Sequence, residues 1–356
     1  MPNYDLLVVG AGISAAALCA ELKATHRILV LEARGHLGGN CYDYQSRETF
    51  IHRYGAHLFH TPDQELVSWT NKFTEWVPYH HAVTAEIMLE GHPKQVPFPY
   101  SQETQNALGR SLAPNEVVDL FFRGYSEKMW GQGWEALPPQ IRNRIPKMNV
   151  ERSDFFPGQF VALPKFGYTR MLENMFDGCD VVLGADPEAW YSFAAPEIPV
   201  VYCGRLDLLR DGKGGRIGGH TADHAKKLPG WLQHVSLEFD WFHGDHGAPT
   251  GVLNYCHKGT PVIRAVQHAK LTGGSSNLYH TETPVHFVST ADLSPCYPAP
   301  ATEDTPRILE ALQAKAKALY PTLVPLGRLA SHRYLDMYQA MEQGRQAARC
   351  LGGLSR

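Results

Sequence analysis

The chain has 356 residues, 44% of them apolar and 19% charged, which is the composition of an ordinary globular protein of one large or two medium domains and not of a disordered one. A net charge of −3 without any Lys/Arg cluster gives no electrostatic footprint for nucleic acid or an anionic membrane, so the expected partner is a small molecule. Seven cysteines without a CxxC pair or metal-ligand spacing exclude a disulfide scaffold; with no signal-peptide pattern and no stretch near ~18 consecutive apolar residues, a cytoplasmic location with reduced thiols is expected.

Residues 5–9 form a short β-branched run, 13–22 carry small helix-forming residues, and 28–32 form a second apolar run, which together predict a βαβ unit. At its first turn, Gly10-Ala11-Gly12-Ile13-Ser14-Ala15 matches GxGxx(G/A), and Glu32 closes the next strand. Gly10 is expected to make the tight turn, Gly12 to let the backbone approach a pyrophosphate at the helix N-terminus, and Ala15 to allow close helix–strand packing. Glu32 would accept from a ribose hydroxyl. A glycine-rich turn in an unrelated α/β domain gives the same hexapeptide, but strand, helix and acid in the right places favour a dinucleotide. The continuation Glu32-Ala33-Arg34-Gly35-His36-Leu37-Gly38-Gly39-Asn40 resembles the E-x-R-x-x-x-G-G-x extension of FAD-binding oxidoreductases. That resemblance implies FAD over NAD, with Arg34 near the adenosine or pyrophosphate and Gly38-Gly39 near the ribityl chain.

Further along, the sequence VPFPY at 96–100 reads as an extended connector, because alternating prolines cannot join a central strand or a helix interior. Residues 102–125 read as helical. Strand-like runs at 181–183, 200–203, 235–241 and 285–289 suggest a mixed sheet beside the first domain, and the Gly-rich polar stretch 211–227 suggests a loop. Residues 309–319 and 336–350 read as helices. The expected class is α/β, with a Rossmann-like FAD-binding domain assembled from discontinuous segments 1–80, 177–232 and 320–356. A small helical subdomain at 98–150 and a mixed, mainly antiparallel sheet subdomain at 81–97, 151–176 and 233–319 would complete it.

Several further motifs converge. Residues 52–61 read HRYGAHLFHT, 121–131 read FFRGYSEKMWG, and 163–169 read LPKFGYT. Arg144-Ile145-Pro146, Asn254-Tyr255-Cys256, Arg264, Tyr297-Pro298, Gly327-Arg328 and Arg333-Tyr334-Leu335-Asp336-Met337 follow in order. In this order and number they resemble the UDP-galactopyranose mutase family across nearly the whole chain. The resemblance implies an isomerase in which reduced FAD, acting through N5 as a nucleophile, interconverts pyranose and furanose forms of a nucleotide sugar, UDP-galactopyranose by default. An external reductant such as NAD(P)H or a reductase is implied, and a homodimer is the oligomer considered.

Carried over by position, Arg144 and Arg264 would clamp the substrate diphosphate; two guanidinium forks suit two phosphates, although a random arginine is more often a surface group. Tyr125, Tyr297 and Tyr334 would donate to the same diphosphate. Phe121, Phe122 and Tyr125 would line the base, Trp130 the sugar pocket, and Asn254, His81 and Phe155 the remaining substrate side; such aromatics are as often core. His57 and His60 would contact the flavin and position sugar hydroxyls. Their HxxH spacing also suits a metal, but no further ligand cluster accompanies it. Leu58, Gly204, Arg328, Tyr334, Leu335, Asp336 and Met337 would complete the cofactor site, the last helix presenting its N-terminus to the anionic flavin edge.

Departures from the family pattern fall on the substrate side: Ala56 replaces a proline, Ala82 an arginine, Phe155 and His332 tyrosines, and Met148 an arginine. The 100–121 segment is short and 211–227 is long. The same reaction on another nucleotide sugar, a redox flavoenzyme of the amine-oxidase type, and a binding protein without activity are therefore alternatives.

Overall fold

The computed structural model describes residues 4–143, 150–194, 197–211, 213, 215–218, 232–286 and 294–353. Strands Leu6–Val9 and Ile28–Glu32, joined by helix Ile13–Leu22, pair in parallel as the apolar runs predict. They form the middle of a five-stranded parallel sheet, flanked by Asp180–Leu183 on one side and by Val200–Tyr202 and Leu323–Pro325 on the other. Side chains alternate between its faces. Leu6, Val8, Ile28 and Val30 enter one core, and Leu7, Leu29 and Leu31 enter the opposite one. Both faces are covered by helices, so these strands are apolar without alternation. Helices Ile13–Leu22, Gly167–Phe176 and Met337–Gly352 cover the first face and Thr305–Leu319 the second. Helix Ile13–Leu22 is buried from Ile13 to Cys19, and at Gly344 the last helix crosses it so closely that a Cβ would overlap the Ser14 carbonyl.

A second sheet of seven strands runs Cys296–Pro298, His234–His243, Leu278–Val285, Arg264–Gln267, Val252–Tyr255, Val83–Leu89, His92–Phe98. It is antiparallel except where Val252–Tyr255 meets Val83–Leu89. A three-stranded sheet in the order Phe59–Thr61, Phe160–Pro164, Trp76–Pro78 packs against helices Gly167–Phe176 and Met337–Gly352. Helical segments pack on the second sheet through a core that includes Ile87, Phe98, Tyr100, Val117 and Phe121.

Four expectations change. Strands 180–183 and 200–202 belong to the parallel sheet and not to a sheet beside it; a short apolar run carries no record of its partner strand. Val96 to Phe98 ends an edge strand, a position where Pro93 and Pro97 can lack N–H groups without breaking a second ladder. The helix expected over 102–125 breaks at Gly109, which is left-handed at φ +75°, and resumes as Pro114–Val117, a π-helical stretch Val118–Arg123, and Gly124–Trp130. The strand expected at 285–289 ends at Val285, and residues 287–293 and most of 211–227 lie outside the described ones.

Candidate cofactor cleft and active site

Gly10 turns the chain at φ +101°, and a Cβ there would sit 3.0 Å from Cys203 Cβ. Gly12 caps helix Ile13–Leu22 without a side-chain partner, leaving the first-turn N–H groups open, and nothing lies within 4 Å of a Cβ built on it. Gly38 N donates to Ala11 O at 2.9 Å, and a Cβ on Gly39 would come within 3.3 Å of Gly12 Cα. Glu32 accepts from Ala11 N at 2.7 Å and from Arg34 N at 2.8 Å. The Arg34 guanidinium donates to Asn40 Oδ1 at 3.3 Å and lies 4.6 Å over the Tyr54 ring.

Over this cradle runs a cleft of about 510 Å³. Gly10, Gly12, Ile13, Ser14, Glu32, Arg34, Gly38, Gly39, Asn40, His57, Gly204, Arg328 and Met337 all line it. Leu58, Tyr334, Leu335 and Asp336 do not. Leu335 is buried and acts through its carbonyl, which accepts from Arg328 Nη2 at 2.6 Å, and Gln339 Oε1 accepts from Asp336 N at 2.9 Å at the start of the last helix. Lining groups that sequence reasoning missed include the Trp190–Tyr191 stack, with centroids 4.0 Å apart, and Arg205, which is paired with the buried Asp207 at 2.6 Å. Arg205 follows Gly204 directly, a signal that was available; the tryptophan and tyrosine carry no motif.

At the Arg328 end, groups from distant segments meet. Arg264 and Glu282 are cross-strand partners, with Nε 3.3 Å from Oε2, and Arg264 Nη2 donates to Tyr125 Oη at 3.3 Å. Burial works against the charge on Arg264, but Glu282 opposite it and Tyr125 hold its pKa above the ordinary value. Burial likewise opposes the Glu282 carboxylate, and Arg264 and the His280 hydrogen bond bring its pKa below the usual one. Tyr297 Oη donates to Tyr54 O at 3.3 Å, and the Arg328 guanidinium lies 5.4 Å from the Tyr297 ring and 5.2 Å from that of the half-exposed Tyr334. His57, with Nδ1 2.8 Å from Gly55 O, has its pKa pushed down to about 3, chiefly by burial and then by His52.

His81 adjoins Arg264, whose charge adds to burial in bringing the His81 pKa to about 3, and its ring is 5.1 Å from Phe155. His60 stacks on Phe156 at 3.8 Å and pairs through Nδ1 with Gln159 Oε1 at 3.0 Å. Asn254 sits opposite Arg264 across the strand pair. Phe121 is in the core, stacked on Phe98 at 5.6 Å, while Phe122 and Phe155 pack on the same Phe98 half-buried. Trp130 is buried with Trp134, Leu137 and Val235. Arg144 lies outside the described residues. Among those residues, no group of three His, Cys, Asp or Glu could hold a metal ion, and no helix is long and apolar enough to cross a membrane.

The sequence profile of the UDP-galactopyranose mutases matches residues 120–334, and one of NAD(P)-binding Rossmann-like domains matches residues 8–73. The chain belongs to the UDP-galactopyranose mutase family. The UDP-galactopyranose mutase of Mycoplasma genitalium is 30% identical over 95% of this chain and 92% of its own. That of Mycoplasma pneumoniae is also 30% identical, over 96% of each chain. A dTDP-fucopyranose mutase of Escherichia coli is 25% identical over 96% of this chain and 97% of its own. In three dimensions a reduced UDP-galactopyranose mutase superposes with a TM-score of 0.65 at 13% identity, covering 100% of this chain and 95% of that one. An oxidoreductase from Methanosarcina mazei reaches 0.53 at 11% identity, over 97% and 99%. By family this member is therefore an isomerase, a pyranose–furanose mutase whose relatives are named for two different nucleotide sugars.

Proposed function

We propose that the chain holds FAD in the cleft and, once an external reductant such as NAD(P)H or a reductase has reduced it, interconverts the pyranose and furanose forms of UDP-galactose. The residues fit that group. The glycine cradle leaves room for a pyrophosphate where side chains would intrude, the uncapped helix N-terminus favours an anion, and Glu32 is fixed to receive ribose hydroxyls. When bound and reduced, the flavin supplies a nucleophilic nitrogen for the anomeric carbon.

The protein's own groups do the rest. Arg264, oriented by Glu282 and Tyr125, is assigned to the diphosphate, where its fork offsets charge as the nucleotide leaves the sugar. Arg144 is assigned as its partner. Tyr297 and Tyr334, whose rings both lie beside the cleft-lining Arg328, are assigned to the same diphosphate, and neutral His57 is assigned to the flavin side. His60 and His81 are assigned to sugar hydroxyls and Asn254 to the substrate side. Residues 1–80, 177–232 and 320–356 are assigned to the cofactor, 98–150 to a helical subdomain, and 81–97, 151–176 and 233–319 to the substrate subdomain. The observation that carries this reading is the meeting of Arg264, Tyr125, Tyr297 and Tyr334 at the Arg328 end of the dinucleotide cleft.

The dTDP-fucopyranose relative supports a second reading, the same reaction on a dTDP sugar. Dithionite-reduced, FAD-loaded protein should convert UDP-galactopyranose to a furanose product resolved by chromatography. Turnover of dTDP-fucopyranose alone selects the second reading; turnover of neither overturns both.

A further inference from the structure

Behind Arg264 the second sheet buries a row of histidines that the reaction itself does not call for. His280 and Glu282 are two apart on strand Leu278–Val285 and share a face, His268 follows strand Arg264–Gln267, and His52 ends strand Thr49–His52. His268 and His280 are 0% exposed and Glu282 is 1%. His52 N donates to His268 Nδ1 at 3.3 Å, His268 Nε2 is 2.9 Å from His280 Nδ1, and His280 Nε2 is 3.2 Å from Glu282 Oε1.

The direction of every proton in this row follows from its first member. A backbone N–H can only donate, so His268 Nδ1 accepts and the ring proton of His268 sits on Nε2. His280 Nδ1 must then accept, which puts the His280 proton on Nε2, facing the carboxylate. The carboxylate's other oxygen is left for Arg264. Packing holds the rings in these orientations: Trp241 stacks on His268 at 5.7 Å and lies 4.8 Å from His280, and Phe239 meets His280 edge-on at 5.2 Å. Above Glu282 the chain passes at Gly55, φ +93°, where a Cβ would come 3.1 Å from Oε1. His57 N donates to His52 Nδ1 at 3.0 Å, so the flavin-side histidine is tied to the same row.

We propose that His268 and His280 are positioning residues for substrate phosphate: they fix the Glu282 carboxylate, and through it the Arg264 fork, relative to the backbone that carries His52 and His57. The inference rests on the reading that Arg264 binds the diphosphate. Apolar side chains could fill this volume without burying three polar rings, so the row's chemistry is explained by where it ends.

The test uses the full FAD-loaded chain and UDP as probe, with affinity by calorimetry, kcat and KM for UDP-galactopyranose after dithionite reduction, and FAD content and thermal midpoint alongside. His280→Gln keeps an N–H in the place of Nε2 and should bind UDP within about threefold of the parent. His280→Asn keeps a group in the place of Nδ1 but falls short of Glu282; it should lose about tenfold or more in UDP affinity and raise KM more than it lowers kcat, with FAD content unchanged. Equal UDP affinity in the Asn and Gln variants overturns the proposal, as does a loss in both that merely tracks thermal midpoint. Arg264→Lys separates the two layers: if it binds UDP as the parent does, the reading of Arg264 fails, whereas weakened binding there with an unaffected Asn variant removes only the histidines.

Discussion

The carboxylate of Glu32 accepts from the amides of Ala11 and Arg34, so its rotamer is set by the protein rather than by a ligand. Glu32→Gln must turn an NH₂ group toward one of those donors and also loses the charge. FAD retention should fall by about tenfold or more with the fold preserved, and a variant that keeps stoichiometric FAD through dialysis would show that Glu32 does not face the ribose. At Arg264 the informative change is to lysine, because alanine would take the cationic partner from buried Glu282 and leave it only the His280 contact, a defect of about 3–5 kcal/mol unrelated to substrate. Arg264→Lys keeps the opposing charge and removes the fork, so turnover should drop by about a hundredfold at unchanged FAD content. Arg144→Ala is expected to do the same. Near-parental rates in both variants would dissolve the proposed clamp.

Helix Met337–Gly352 lies across helix Ile13–Leu22 at Gly344, and the second helix carries the open N–H groups of the cofactor cradle. A methyl group there collides with the Ser14 carbonyl, a backbone atom that cannot rotate away. Gly344→Ala should therefore cost about 1–3 kcal/mol, lower the melting temperature by roughly 2–10 °C, and weaken FAD binding as the cradle helix shifts. An unchanged melting temperature would mean that the two helices separate freely. The glycine stands out in the sequence only as an oddity inside a helical pattern, since its reason is a second helix more than 300 residues away in the chain.

Across the molecule, buried histidines set the response to acid. Burial above all pushes His52, His57, His81 and His234 down to about 3 and His332 to about 4, and brings His268 well below its ordinary value. Each is lowered by folding, so above pH 6.5 it costs nothing; as pH falls below 6.5 the unfolded chain takes up protons that the folded chain refuses. Stability should thus decline from pH 6.5 toward 4, by about 1.4 kcal/mol per pH unit for each such ring. Several rings together can outrun a folding free energy of about 5–15 kcal/mol within roughly two units. Melting temperatures recorded between pH 8 and 4 should be level above about 6.5 and fall steeply below it. A level profile down to pH 4.5 would contradict the neutral, buried state of these rings.

The local unit at the N-terminus was readable because its signals are local. The glycine turn, the small-residue helix and Glu32 lie within 32 residues, and the period of the apolar runs gave strands Leu6–Val9 and Ile28–Glu32 and helix Ile13–Leu22 nearly to the residue. Arg264, Tyr125, Tyr297 and Tyr334 were reached only through resemblance of their motifs, since no spacing in the chain says that they meet. Partner choice among strands was not readable: the runs 181–183 and 200–203 were read as part of a sheet beside the first domain, although 177–232 was placed in that domain, because hydrophobicity marks burial and not the neighbour across the ladder. Nor was the row from His52 to Glu282, whose members lie on two strands and one helix start. Sequence determined the dinucleotide turn and the kind of chemistry. Tertiary structure alone decided which buried groups face one another, because hydrogen bonds between strands depend on register and sheet order, and these are properties of pairs of segments rather than of either one.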